Sequence, residues 1–222
     1  MAAAVARELV PELSFAVRGG EALRYSAAPA IGLQVGVERL RGGHVRSIML
    51  HTQVRIAARG RTYSPGEQER LADLFGAPTD WRRNLHSLLW ANVTCLVPPF
   101  DERTVVEVEL PCSYDLEVGG AAYLQALGDG AVPLELLFSG TLFYADEAGL
   151  LRVALIPSSA EASWQLPVEV WRAVMERHFP GAAWLRLRRE TFDRLAAYRA
   201  RNALRSWGEA LERLIGEQEA AP

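Results

Sequence analysis

The amino-acid sequence predicts an α+β protein: an antiparallel sheet or open sandwich, with a helical insertion and carboxy-terminal helices packed on the sheet. Three observations carry that prediction. In residues 132–156, the even positions Val132, Leu134, Leu136, Phe138, Leu142 and Tyr144 form an apolar face at period two. The odd positions carry Pro133, Glu135, Ser139 and Thr141, but also Leu137 and Phe143. Asp146-Glu147-Ala148-Gly149 supplies turn chemistry, and residues 150–156 return apolar on both faces except at Arg152. This reads as a hairpin lying centrally in a sheet. Second, several shorter alternating segments precede it. Third, the periodicity turns helical after Ser158, and strands followed by helices define α+β.

Residues 1–10 read as a loose leader. Leu13, Phe15 and Val17 alternate as a first strand that ends at Gly19-Gly20. A second strand points Ile31, Leu33, Val35 and Val37 inward, with Gln34 and Glu38 outward. Gly42-Gly43-His44 then turns the chain into a third, where Ile48, Leu50, Thr52, Val54 and Ile56 share a face. Ser47, His51, Gln53 and Arg55 occupy its solvated side, and the two strands are predicted to form a long hairpin. Ser64-Pro65-Gly66-Glu67 is a capping box that opens a helix holding Leu71, Leu74 and Phe75. A fourth strand over 85–97 points Leu85, Leu89, Ala91, Val93, Cys95 and Val97 one way. His86, Leu88, Trp90, Asn92, Thr94 and Leu96 point the other way, and Pro98-Pro99 ends it. In a fifth strand Val106, Val108 and Leu110 alternate with Glu107 and Glu109, and the pattern resumes through Tyr114, Leu116 and Val118. A short helix over 121–127 leads to the central hairpin.

Beyond Ser158, residues 166–179 carry a helical stripe of Trp171, Val174, Met175 and His178 opposite Glu169, Arg172 and Glu176. Trp184-Leu185-Arg186-Leu187 is an extended link. Thr191 opens a helix with Phe192, Leu195 and Ala196, and Ser206-Trp207-Gly208-Glu209 is a second capping box. The organisation expected is one domain over 1–222. Residues 11–157 form its sheet core, 60–130 an insertion within it, and 158–216 the helical layer.

Composition narrows the chemistry. Half the residues are hydrophobic, and no run reaches 18 apolar residues, so membrane insertion is not expected. The amino terminus lacks the apolar block of a signal peptide, and two cysteines, Cys95 and Cys112, suit a reducing compartment. A cytoplasmic location follows. All 24 basic residues other than histidine are arginines, which removes Schiff-base chemistry and the phosphate-binding loop ending in Gly-Lys. A net charge of −3 argues against a nucleic-acid surface.

No catalytic, cofactor or metal motif emerges. His44, His51, His86 and His178 are not at ligand spacing from one another or from either cysteine. Cys95 shares a strand face with Val93 and Val97 and reads as a buried hydrophobe, while Cys112, after a proline, reads as more exposed. Ser139 lacks the glycine of a nucleophile elbow, and Gly140 marks a bulge or a close backbone approach. Glu107 and Glu109 read as a solvated face, as does the stripe Arg194, Tyr198, Arg201 and Arg205. Trp90, on the polar side of its strand, and Trp164, in a loop before a helix, are candidate protein-binding residues. Leu137 and Phe143, on the second face of the central strand, join them.

Two family resemblances add to this reading. Leu166-Pro167, His178-Phe179-Pro180, Trp184-Leu185-Arg186-Leu187 and Thr191-Phe192-Asp193 resemble the end of SecB-type export chaperones. Leu13-Ser14-Phe15, the strands over 31–40 and 45–57, and Phe138-Ser139-Gly140-Thr141-Leu142-Phe143 are similar to their first three strands. Residues 60–130 have no counterpart there, the chain is less acidic than such chaperones, and its tail lacks their metal-binding cluster. Over the whole chain the sequence is identified as a member of an uncharacterised actinobacterial family whose genes often neighbour nickel–iron uptake hydrogenase genes. Tyr63-Ser64-Pro65, Leu74-Phe75-Gly76, residues 138–144 and Leu166-Pro167 with Trp171 carry that likeness. The resemblances imply a non-enzymatic polypeptide-binding protein without a cofactor, chaperone-like or an assembly accessory. Its partner would be a polypeptide client or a redox-enzyme subunit, and the chain would form a homo-oligomer. Two alternatives remain open: a small-ligand binder or enzyme with a pocket between sheet and helices, and a structural subunit of a larger complex.

Overall fold

The computed structural model describes residues 10–113, 115, 118–182 and 187–219. Residues 1–9 of the leader over 1–10, the strand continuation at Tyr114 and Leu116, and Trp184, Leu185 and Arg186 of the extended link lie outside the described residues. The chain divides into two compact units, Met1–Ala183 and Trp184–Pro222. Among its described residues the first holds eight strands: β1 (Glu12–Ala22), β2 (Ala30–Arg41), β3 (His44–Ile56), β4 (Leu88–Val97), β5 (Arg103–Pro111), β6 (Ala131–Ala145), β7 (Leu151–Leu155) and β8 (Glu161–Pro167). It also holds four helices: α1 (Pro65–Phe75), α2 (Trp81–Asn84), α3 (Gly119–Ala126) and α4 (Val168–His178). The second contains α5 (Arg189–Arg201) and α6 (Trp207–Glu219).

The protein is α+β with antiparallel strands throughout, arranged as two sheets. One runs β1-β2-β5; the other runs β4-β3-β6-β7, with β8 paired to the opposite half of β6. This is the sandwich architecture shared by immunoglobulin-like domains. Ile31, Leu33, Val35 and Val37 of β2 and Ile48, Leu50, Val54 and Ile56 of β3 are all buried in one core. They meet Val108 and Leu110 of β5 and the even-numbered face of β6 there. The predicted hairpin between β2 and β3 does not form. Each strand has its ladder in a different sheet, and the pair oppose their apolar faces across the core. The corner at Gly42-Gly43 is what lets the chain change sheets. The likeness to the first strands of export chaperones rested on that hairpin.

Other departures have local causes. In β4 the register shifts opposite Val54 and Arg55, so Trp90 is an extra residue and the alternation reverses. Leu88 therefore turns inward and Leu89 outward. Trp164 is not in a loop: β8 pairs Trp164 with Leu134 and Leu166 with Val132, and α4 starts only at Val168. Within the stretch 60–130, β4 and β5 are ladder members of the two sheets, while α1, α2 and α3 are the inserted parts. The β6–β7 hairpin forms as predicted, its turn closed by Asp146 and by Gly149 at φ +79°. β7 lies at a sheet edge, so its apolar side chains are exposed.

The helices of the first unit join the sandwich through a buried ion pair. Glu67, behind the Ser64 capping box, accepts from Arg61 Nη2 at 2.6 Å, from Gly128 N–H at 2.8 Å and from Ser64 N–H at 2.8 Å. Arg61 also donates to Ala131 O and Asp129 O at 2.9 and 2.7 Å. Arg70 reaches Ala126 O at 2.8 Å, and Arg172 of α4 binds Leu127 O at 2.8 Å and Gly128 O. Three arginines thus satisfy carbonyls at and just beyond the end of α3, where the helix dipole favours positive charge. Burial opposes ionisation of Glu67, but the Gly128 and Ser64 amides and Arg61 together hold its carboxyl below the usual range. Beside this node, Tyr123 O–H donates to Tyr63 at 2.8 Å, and Tyr63 donates to Ala58 O at 2.5 Å. Phe75 and Trp81 pack edge-on against the tyrosines.

In the second unit, Phe192 and Trp207 pack at 5.1 Å, and Arg199 stacks 3.9 Å from the Trp207 ring. Ser206 caps α6 through Glu209 N–H at 3.0 Å.

Two substitutions test this frame. Glu67→Gln leaves Arg61 buried without a counter-charge, so a loss of about 3–5 kcal/mol is expected in urea denaturation at pH 7. The folded-state pKa of Glu67 is lowered, so its contribution is complete above the ordinary carboxylate pKa of 4.5 and disappears as pH falls through the folded value. The Tm gap between wild type and variant is therefore expected to shrink below that pH. At Gly140, with φ +132°, a Cβ would stand 2.0 Å from Met49 O. Gly140→Ala is expected to cost roughly 3 kcal/mol, read in the same denaturation experiment.

Candidate functional site

The exposed outer face of the larger sheet has two halves. The half towards the β3–β4 connection is mainly polar, with Leu89 and Leu137 as its apolar members, and its polar side chains pair across strands. His51 Nδ1 lies 2.7 Å from Thr94 Oγ1, and Gln53 Nε2 donates to Asn92 Oδ1 at 3.2 Å. In the other half the register aligns Leu96 of β4 with Met49 of β3, Met49 with Thr141 of β6, and Thr141 with Leu155 of β7. The adjacent rows place Ser47 beside Phe143 and Val153, and Ala145 beside Leu151. Leu96 is 65% exposed, Met49 47%, Leu151 65%, Val153 61% and Leu155 76%. These five residues present roughly 500 Å² of mainly apolar surface, towards the top of the range of about 300–600 Å² for the largest patch on a monomer. The largest patch on a monomer is often functional.

Of the four residues predicted to bind protein, two stand on this face. Phe143 is half-buried within the apolar half, between Ser47 and Val153. Leu137 is half-buried in the polar half, between Gln53 and Glu161. The other two turn elsewhere. Trp90 is swung by its bulge towards β5, where its indole donates to Pro111 O at 3.0 Å. Trp164 lies against β1, and a Cβ on Gly20 would come within 2.7 Å of its ring. Met49, Leu151, Val153 and Leu155 were not singled out from the sequence. The signal available was that Met49 and Leu96 interrupt otherwise polar strand faces at positions that align.

The other candidates have structural surroundings. His44 pairs with Asp101 at 2.9 Å, and His86 Nδ1 bonds Asn84 O at 2.7 Å with its ring edge-on to Phe75. Among the described residues no three His, Cys, Asp or Glu side chains gather as a metal site. The expected exposures of the thiols are reversed: Cys112 is buried and Cys95 half-buried. Burial pushes both thiols up, Cys112 to about 12, far from the reactive range. Glu107 lies on an exposed strand face and accepts from Gln34 at 3.1 Å. Arg194, Tyr198 and Arg201 line an open cleft of about 510 Å³ in the second unit.

Two concavities adjoin α4. One, of about 690 Å³, is lined by Trp171, Met175, Phe179, Gln125, Arg172 and Glu176. The other, of about 150 Å³, is a narrow apolar cavity between Trp90, Cys112, Leu124 and Trp171. No helix among the described residues is long and apolar enough to cross a membrane.

Residues 10–222 match the model of a family of unknown function, DUF6084. No curated protein matches the chain. Among solved structures, it is similar to the CARDB domain of the PF1109 protein from Pyrococcus furiosus, crystallised with di-metal ions. Identity there is 14%, over 71% of this chain and 92% of that one, with a TM-score of 0.29. A β-glucosidase from Kluyveromyces marxianus is 14% identical over 70% of this chain and 15% of its own, at a TM-score of 0.26. β-Glucosidase 3B from Thermotoga neapolitana is 13% identical over 70% and 17%, also at 0.26.

The thiol environments have a direct readout. In native protein at pH 8, Cys112 is expected to resist a thiol reagent that modifies it at once in denaturant. Mass spectrometry of the labelled peptides checks this.

Proposed function

The chain belongs to the DUF6084 family, whose function is not established, and we propose that it is a non-enzymatic polypeptide-binding protein, chaperone-like or an assembly accessory. It holds its partner on the outer face of the larger sheet. The observation that supports this reading is the exposed apolar row of Leu96, Met49 and Leu155, with Phe143 and Val153 beside it. A flat strip of this kind suits an extended or helical segment with spaced apolar side chains better than a compact small molecule. Roughly 500 Å² on this side is less than the about 800 Å² per partner of a standard stable interface. Holding is therefore weak and reversible, as an assembly accessory requires.

The family likeness seen in the sequence points to a redox-enzyme subunit of a nickel–iron hydrogenase system as the specific partner, met in the cytoplasm by a homo-oligomer of this chain. A second reading is a small-ligand site in the larger concavity beside α4. It is favoured by Gln125 Oε1, which is buried there without a hydrogen-bond partner among the described residues.

The test is suppression of light scattering from reduced, aggregating insulin. Wild type is expected to suppress it, and Met49→Glu/Leu96→Glu is expected to lose most of that effect with an unchanged far-UV spectrum. Scattering unaffected by wild type would remove the reading.

A further inference from the structure

Among the described residues of the first unit, β7 is an open strand edge, whereas the other edge strands lie against one another. β1 lies against β8, and β5 against β4. Three of those strands also carry blocks against pairing. β1 has a register shift that bulges Arg18, and β4 has the Trp90 bulge. β5 alternates Glu107 and Glu109 and ends at Pro111. β7 pairs with β6 in unbroken register and contains neither proline nor bulge. Its single charge, Arg152, is paired with Asp146 at 3.0 Å.

The ladder shows which backbone groups are uncommitted. Ile156 N–H donates to Gly140 O, and Asp146 N–H to Leu150 O. Even-numbered residues of the return strand therefore direct their backbone groups at β6. Leu151, Val153 and Leu155 direct theirs away from it. The same three residues carry the exposed apolar side chains.

We infer that β7 pairs antiparallel with β7 of a second copy of this chain, about a two-fold axis through Val153. In that register Leu151 faces Leu155 of the second copy, Val153 faces its own counterpart, and Arg152 faces Ala154. The segment Leu151-Arg152-Val153-Ala154-Leu155 is apolar at its first, third and fifth positions from either end, so it is complementary to itself. No like charges are opposed. The three outward residues supply roughly six hydrogen bonds between copies. Pairing makes the larger sheets of two molecules continuous: the row of Ser47, Phe143 and Val153 runs on into its equivalent, and the row of Met49, Thr141 and Leu155 runs on into Leu151 and Ala145 of the second copy. This goes beyond the polypeptide-holding reading and stands without it.

Sedimentation of the full chain from micromolar to millimolar concentration is expected to show a dimer. Val153→Cys is expected to form a disulfide between copies on mild oxidation, because hydrogen-bonded antiparallel pairs have Cα atoms about 5.5 Å apart, within disulfide reach. Leu155→Cys is not, because its two copies stand roughly 13 Å apart. Wild type, retaining Cys95 and Cys112, is the control for background linkage. Val153→Pro removes no bond to β6 and is expected to weaken dimerisation by roughly ten-fold or more. If the proline variant loses its far-UV spectrum, Val153→Lys serves in its place. A wild type that stays monomeric overturns the inference. So does a dimer linked by Leu155→Cys instead of Val153→Cys, or a monomer that accepts only an added foreign strand peptide. A dimer that fails to suppress insulin scattering leaves the inference intact and removes the holding reading; a monomer that suppresses it does the reverse.

Discussion

A strand with one unbroken apolar face must cover it, and β2 and β3 cover each other. Ile31 to Val37 on one and Ile48 to Ile56 on the other are among the most deeply buried side chains. Because they meet face to face, their backbones must find partners elsewhere, and each becomes the interior strand of its own sheet. From that follow the crossing at Gly42-Gly43, the placement of β5 beside β2, and the placement of β4 and β6 on either side of β3. It also leaves an outer face on each sheet; on that of the larger one, polar residues pair and apolar ones are exposed.

Period two in a sequence reports which side of a strand is covered. It does not report which strand lies alongside. The faces of β2, β3, β5 and β6 are therefore legible, whereas the β2–β3 relation is not, because a Gly-Gly turn serves a corner as readily as a hairpin. β4 was legible in existence but not in phase, since one extra residue at Trp90 inverts every side chain on one side of it. β8 was hidden because Ala162, Trp164 and Leu166 are followed at once by a helix that shares Leu166 with the apparent stripe. β7 is apolar on both sides except at Arg152 and so resembles an interior strand; only its pairing with β6 alone places it at an edge. Of the candidate face, Phe143 and Leu137 were legible from β6 alone. Met49, Leu96 and Leu155 became one row only once three registers were known.

The helices of the first unit show how a sandwich accepts additions without losing its core. α1, α3 and α4 are joined to one another and to the start of β6 by arginine side chains on backbone carbonyls around Glu67. Arginine suits the task, because its planar fork serves several carbonyl oxygens at once. The aromatic group of Tyr63, Phe75, Trp81 and Tyr123 fills the space beneath, so the added segment has a small interior of its own.

At Gly140 the backbone of β6 lies tight against that of β3, with Met49 O occupying the position a methyl group would take. That pinch acts as a detent. Sliding β6 by two residues, which an alternating strand would otherwise tolerate, would drive a side chain into the gap. The lateral alignment of Met49 with Thr141, and hence of the greasy strip that spans four strands, is held by one missing carbon atom.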